Sequence, residues 1–222
     1  MAKLTDLGFS EGVIVETIVS TYDSDGQPNA APMGTIMESA QRITIKLYNS
    51  SLTLQNFQSN RCAVMNVTSN IELFYRTAFK EIYPIGKLPR EWFERAESVN
   101  APKLSMADAV IEVSVASMVA IDAERTRVMC DVILIRAPKN FPQAYCRAFS
   151  STLEAIIHAT RVKVFLDGDE KQKAQALKLQ ETIEDCREVV NRVAPKTRYS
   201  EIMAEIAGMI DSWRKARVES IR

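Results

Sequence analysis

Apolar and polar positions alternate in short β-branched runs through the first part of the chain, whereas past about Asn140 apolar residues recur every three or four positions. This change of period predicts a β-rich N-terminal region followed by helices. Val13 to Thr21 (VIVETIVST) is the first strand, and Asp25-Gly26 just after it supplies the positive φ of a tight reversal. A second strand is expected over Asn29 to Met37 (NAAPMGTIM). Pro32 inside it has no amide proton for a ladder and should sit at a bulge or an edge. Ile43 to Tyr48 is a third strand, followed by a short helix from Leu52 to Gln58 that Asn49-Ser50-Ser51 can cap, and by a fourth strand from Cys62 to Thr68. Ala109 to Ile121 and Arg125 to Arg136, joined by Asp122-Ala123-Glu124, bring the count to six strands, which suits a small antiparallel barrel.

Between Ile71 and Met106, short helical stretches are broken by Pro84, Pro89 and Pro102, so this segment reads as an insertion that covers or decorates the barrel. The expected organisation is therefore a barrel over residues 1–139, with its insertion, and a helical region over 140–222. In the latter a helix should start near Pro142 and run to about Thr160, with a short β-like Val162-Lys163-Val164-Phe165 and the turn Asp167-Gly168 after it. Two further helices carry the stripes Ala176, Leu179, Ile183, Cys186, Val190, Val193 and Tyr199, Ile202, Ile206, Met209, Trp213. Pro195 separates them, which predicts an antiparallel helical hairpin.

Composition narrows the partners. Lys+Arg and Asp+Glu both number 28, so the broad basic field of a nucleic-acid binder is missing. The N-terminus has no apolar signal core and no stretch approaches the roughly 20 uncharged apolar residues of a membrane span, so the expectation is a cytoplasmic protein. Cys62, Cys130, Cys146 and Cys186 are too far apart for a zinc site and read as reduced core thiols.

With 7 glycines, the chain contains neither GxGxxG nor GxxxxGK[ST], so a Rossmann or P-loop nucleotide site is not expected. A phosphate can still be held where hydroxyls meet a helix start, because free N–H groups and the helix dipole both favour an anion. The segment Tyr48-Asn49-Ser50-Ser51-Leu52-Thr53-Leu54-Gln55-Asn56 has that composition, although plain N-capping would use the same residues.

A strand, a DG turn, a strand reading NAAPMGT, another strand, an SSLTxxN helix and a CAVMNV strand, in that order, resemble the FMN-binding split β-barrel superfamily of pyridoxamine-phosphate-oxidase-like and flavin-reductase-like proteins. The helical C-terminal half is most similar to archaeal-type flavoproteins of a domain-of-unknown-function family. The motifs span Gly12 to Val67. The resemblance implies a homodimer with flavin mononucleotide (FMN) near the interface. Met33, Gly34 and Thr35 would line the ring, Tyr48 would contact the cofactor from the strand end, Asn49, Ser50, Ser51 and Thr53 would bind the phosphate, and Asn56 would brace the turn. Many relatives carry a Lys or Arg at this helix start, but here none lies between Lys46 and Arg61, which leaves those two as the expected cations.

Other polar residues are weighed against plainer uses. Arg147, Glu154, His158 and Arg161 recur at steps that share one helix face, and His158 could serve as an acid or base beside a flavin or an anionic substrate. A solvated Glu154–His158 pair is the simpler reading. Glu112 and Asp131 lie in apolar strands and would be acids if buried, but an outward face of a half-exposed strand is expected. Phe74-Tyr75 and Trp92-Phe93 are expected in core packing. No side chain announces itself as a catalyst, which suits an FMN-dependent oxidoreductase of unnamed substrate; a flavin carrier or sensor, or an interaction module built on the C-terminal hairpin, would present the same residues.

Overall fold

A computed structural model describes residues 2–9, 11–83, 86–137 and 147–220. The expected helix start near Pro142, and Cys146, lie outside them. The chain divides into two compact units, residues 1–70 with 79–141, and 71–78 with 142–222.

The first unit is a closed antiparallel barrel. Its strands are β1 (Ile14–Tyr22), β2 (Pro28–Ser39), β3 (Arg42–Tyr48), β4 (Cys62–Val67), β7 (Ala109–Ala120) and β8 (Arg125–Arg136), in the order β1-β2-β3-β8-β7-β4 with β4 returning to β1. The β1–β2 reversal is made as expected. Gly26 has φ +72°, and the Asp23 carboxylate accepts from the amides of Asp25 and Gln27 at 2.9 and 2.8 Å. Alternation puts Val19, Ile43, Ile45, Leu47, Met65, Ile111 and Val128 inside. The short helix α1 (Leu52–Asn60) adds Leu54 and Phe57 to that interior. Burial of this kind stabilises by about 25 cal/mol per Å² of apolar surface.

The ladder between β2 and β3 is short. Only Thr35, Ile36, Met37 and Ser39 of β2 pair with β3, while β1 pairs with β2 all the way to Pro28. Residues Pro28–Gly34 therefore have no second strand partner among the described residues, and Pro32 lies on this edge. An edge tolerates a residue without an amide proton, so the sequence expectation for Pro32 is met for the stated reason.

A two-stranded sheet of β5 (Phe93–Arg95) and β6 (Pro102–Leu104) lies on the outer face of β1 and β4. Polar groups buried beneath it are matched: Ser20 donates to the Pro102 carbonyl at 2.6 Å, and Asn66 donates to the Ile18 carbonyl and accepts from the Leu104 amide at 2.7 and 2.8 Å. Glu112 belongs to the same arrangement. The sequence expectation of an outward, half-exposed carboxylate is corrected, because Glu112 is 1% exposed and accepts from the Glu97 and Ser98 amides at 2.8 and 2.6 Å. Two backbone donors replace its water, so it fastens a loop. Asp131 instead pairs with Arg42 at 2.9 Å, partly in solvent.

The second unit is helical: α2 (Ile71–Ala78), α3 (Arg147–Phe165), α4 (Glu170–Val193) and α5 (Arg198–Ser220). The segment between Ile71 and Met106 thus divides between the two units. The expected β-like run at Val162–Phe165 is the last turn of α3 instead. Val162 is buried together with Ala155 and Ala159 along one helical row, and this packing overrides the β preference of two valines. Asp169 caps α4 and Pro195 follows its end. α4 and α5 follow each other across Pro195 as expected and pack on each other, and both pack more extensively on α3, which is the centre of this unit. Arg198 of α5 pairs with Glu72 of α2 at 2.6 Å and with Glu205 of its own helix at 2.5 Å, tying α2 to α5, and Phe74 meets Phe149 edge-on at 6.3 Å.

Asn66→Ala should lower stability by about 3 kcal/mol, because it strands the Leu104 amide and the Ile18 carbonyl in the interior. Urea denaturation checks the size of the loss, and faster amide exchange at Leu104 checks its origin.

Candidate functional site

The surface of interest is built from the unpaired half of β2 and the start of α1. β3 ends at Tyr48, and the chain turns through Asn49 and Ser50 before α1 begins. Ser51 is the N-cap: its hydroxyl accepts from the Leu54 amide at 3.2 Å. Asn49 is held from the opposite side by the β7–β8 turn, donating to the Ala123 carbonyl at 3.0 Å and accepting from the Thr126 hydroxyl at 2.7 Å. Its side chain is thus a brace for the junction. Ser50 is exposed, and Thr53, one turn into the helix, is buried.

Asn56 follows Thr53 on the same helix face and is also buried. It donates to the Thr21 hydroxyl at 2.9 Å and so fixes α1 against β1 rather than bracing the preceding turn. Across the ladder, Thr21 faces Asn29, the second residue of β2. The Asn29 side-chain oxygen Oδ1 accepts from the Lys80 ammonium at 2.5 Å, and Asn29 Nδ2 is buried without a partner. Burial pushes the Lys80 ammonium down to about 8, with Glu81 opposing. Sequence reasoning missed both residues. Lys80 lies 51 positions from Asn29, in the proline-broken segment whose path no periodicity discloses.

The three residues expected along a ring divide by strand parity. Met33 points inward against the barrel core, and Thr35 is fully buried with its hydroxyl donating to the Val15 carbonyl at 3.0 Å. Gly34 faces outward opposite Glu16, where an added Cβ would lie 2.9 Å from Ile14 Cγ2. A cross-strand neighbour therefore already favours glycine there. What the segment offers outside is backbone edge more than side chain.

Neither of the expected cations bonds to the α1 start among the described residues. Lys46 is exposed, on the face of β3 opposite to the buried Ile45 and Leu47, and pairs in register with Arg127. Arg61 follows the far end of α1 in a left-handed conformation, roughly 13 Å from its first turn, and donates to the Val115 carbonyl at 3.4 Å. Two recesses of about 390 and 350 Å³ occur elsewhere, one at the β1–β2 turn beside Asn60 and Arg95, the other along Lys103, Asp108 and Arg136.

The helical unit holds the remaining candidates. His158 Nε2 meets Glu154 at 3.0 Å, while Nδ1 is buried without a partner. Arg147 and Arg161 are exposed and, among the described residues, neither bonds to the pair; Arg161 acts on His158 through its charge alone. Burial lowers the His158 pKa, Glu154 opposes this and Arg161 adds to it. Phe74 and Tyr75 are buried in the helical unit, and Trp92 stacks edge-on with Tyr83 at 5.9 Å. Among the described residues no group of His, Cys, Asp and Glu could hold a metal, and no helix is long and apolar enough to cross a membrane.

Comparison with known proteins gives a family and a fold. Residues 15–137 match the model of a family described as "Protein of unknown function (DUF447) N-terminal domain". The structure is similar to that of an FMN-bound protein of the same family from Methanosarcina mazei, at 25% identity and a TM-score of 0.71, covering 92% of this chain and 98% of the other. A putative flavin reductase with a split barrel domain from Shewanella frigidimarina matches at 14% identity and a TM-score of 0.51, covering 62% of this chain and 76% of that one. The second likeness speaks for the split-barrel fold alone.

Because the His158 pKa is lowered in the folded chain, the unfolded chain binds the proton more tightly. Its contribution to stability is complete above 6.5 and is lost as pH falls below that value. His158→Gln should flatten the stability profile in this acid range, as thermal melts at stepped pH would report.

Proposed function

The chain belongs to the DUF447 family by its match over residues 15–137, and on that premise we propose that it is an FMN-dependent oxidoreductase of the cytoplasm. The observation that carries this reading is the likeness, over 92% of the chain, to a family member with FMN bound. The residues present fit such a group. The edge of β2 from Pro28 to Gly34 has backbone to spare for a flat ring, and the α1 start combines a helix N-terminus with Ser50, Ser51 and Thr53 for a phosphate. Asn49 holds that start from the β7–β8 turn, and Asn56 fixes the helix against β1.

FMN, when bound, supplies the electron or hydride transfer. The chain's own residues bind, orient and shield. Ser50 and Thr53 offer hydroxyl donors, and the β2 edge orients the ring through backbone groups. The pairing of cofactor with dimer rests on a second feature, since Tyr48 (58% exposed), Leu52 (47%), Val119 (56%) and Ile121 (40%) are large apolar side chains left in solvent at the same end of the barrel. A second copy of the chain covering them would also close the open side of the ligand surface.

Protein purified from its host should be yellow and should release FMN on heating. Ser50→Ala with Thr53→Ala should weaken FMN about 10-fold or more and leave riboflavin almost unchanged, since only FMN carries the phosphate. Equal losses in fluorescence titrations of the two ligands would overturn the phosphate placement, and turnover of NAD(P)H in steady state checks the oxidoreductase reading. Val119→Asp with Ile121→Asp should convert the dimer to monomer in light scattering.

A further inference from the structure

The flavin reading leaves one charge unassigned. Nothing between Lys46 and Arg61 is cationic, Arg61 bonds to the Val115 carbonyl beyond the far end of α1, and Lys46 stands on the outer face of β3. The barrel unit nevertheless brings one ammonium to the open half of β2. Lys80 forms no ion pair among the described residues, and its hydrogen bond is to a neutral amide, Asn29 Oδ1. Such a bond uses one of its three protons. That contact fixes the amide's orientation: with Oδ1 on the ammonium, Nδ2 points away, and it has no acceptor although Asn29 is only 7% exposed.

A buried amide donor without an acceptor and an ammonium whose one bond is to a neutral oxygen are thus held together at one place, and both are costly when they are desolvated and incompletely matched. Their position is not arbitrary. Asn29 begins the stretch of β2 that lacks a second strand, and its cross-strand neighbour Thr21 is the anchor of Asn56, one turn beyond Thr53 on α1. We propose that Lys80 and Asn29 form a cationic two-donor subsite that takes an oxygen acceptor of the bound flavin, Lys80 supplying the charge and Asn29 Nδ2 a directed hydrogen bond. Burial lowers the Lys80 pKa to about 8 although the Glu81 carboxylate opposes it, and an anionic ligand oxygen beside the ammonium would offset that burial further.

This rests on the flavin reading. Two oxygens of that ligand have the required chemistry, the phosphate and the pyrimidine carbonyls of the ring. The experiment measures FMN and riboflavin affinity by fluorescence quenching for the full chain and for Lys80→Met, Lys80→Arg and Asn29→Ala. Lys80→Met should weaken FMN about 10-fold or more, and Lys80→Arg should retain most of the affinity. A loss confined to FMN identifies the phosphate as the acceptor, and an equal loss for riboflavin identifies the ring carbonyl. Unchanged affinity for both flavins in Lys80→Met overturns the subsite while leaving the flavin reading intact. Failure of the unaltered chain to bind either flavin overturns both. A measurement without any variant stands beside these: acetylation of Lys80 by acetic anhydride, read by peptide mass spectrometry, should fall when FMN is added, and labelling that does not change overturns the proposal.

Discussion

The structure depends on a ladder that stops early. A barrel strand is satisfied when both of its edges are paired, yet β2 is paired on one side along its whole length and on the other only from Thr35 onward. Backbone groups on an unpaired edge must find water, another chain or a ligand, and this need gives the barrel its asymmetry. Around that opening the chain arranges α1, whose Leu54 and Phe57 close the interior, and Asn29, whose amide meets Lys80. The proposed cofactor surface follows from incomplete strand pairing, without a glycine loop or a deep cavity.

Much of the barrel was legible because its signals are local. Alternation in ITIKLY and CAVMNV, the Asp25-Gly26 reversal and the Ser51 cap each act within a few residues, and the strands and α1 appear within two residues of their expected limits. The Val162–Phe165 error has the opposite origin. Two valines suggest a strand in isolation, but the row formed by Ala155, Ala159 and Val162 belongs to a helix whose far side is set by α4 and α5. Glu112 was misread for a related reason: the backbone amides that satisfy it come from Glu97 and Ser98, in a loop that no pattern could bring there.

The candidate site was legible in outline only. The order of motifs disclosed which strand edge and which helix start to consider, because a run such as NAAPMGT carries its proline and glycine openly. Side-chain commitments were hidden. Thr35 spends its hydroxyl on Val15, Asn49 its amide on Ala123, and Asn56 its amide on Thr21, and each of these partners is remote in sequence. Charge was hidden most deeply, since the lysine at the open edge arrives from a region where prolines erase any period.

The grip of Asn49 on the β7–β8 turn carries a consequence for the molecule's tolerance of change. That hairpin tip is exposed and polar, the sort of place where insertions and fused tags are usually harmless. Here Ala123 and Thr126 hold Asn49, and Asp122 pins the tip through the amides of Glu124 and Arg125, so lengthening it would drag the first turn of α1 out of position. A loop that looks dispensable from outside is a strut.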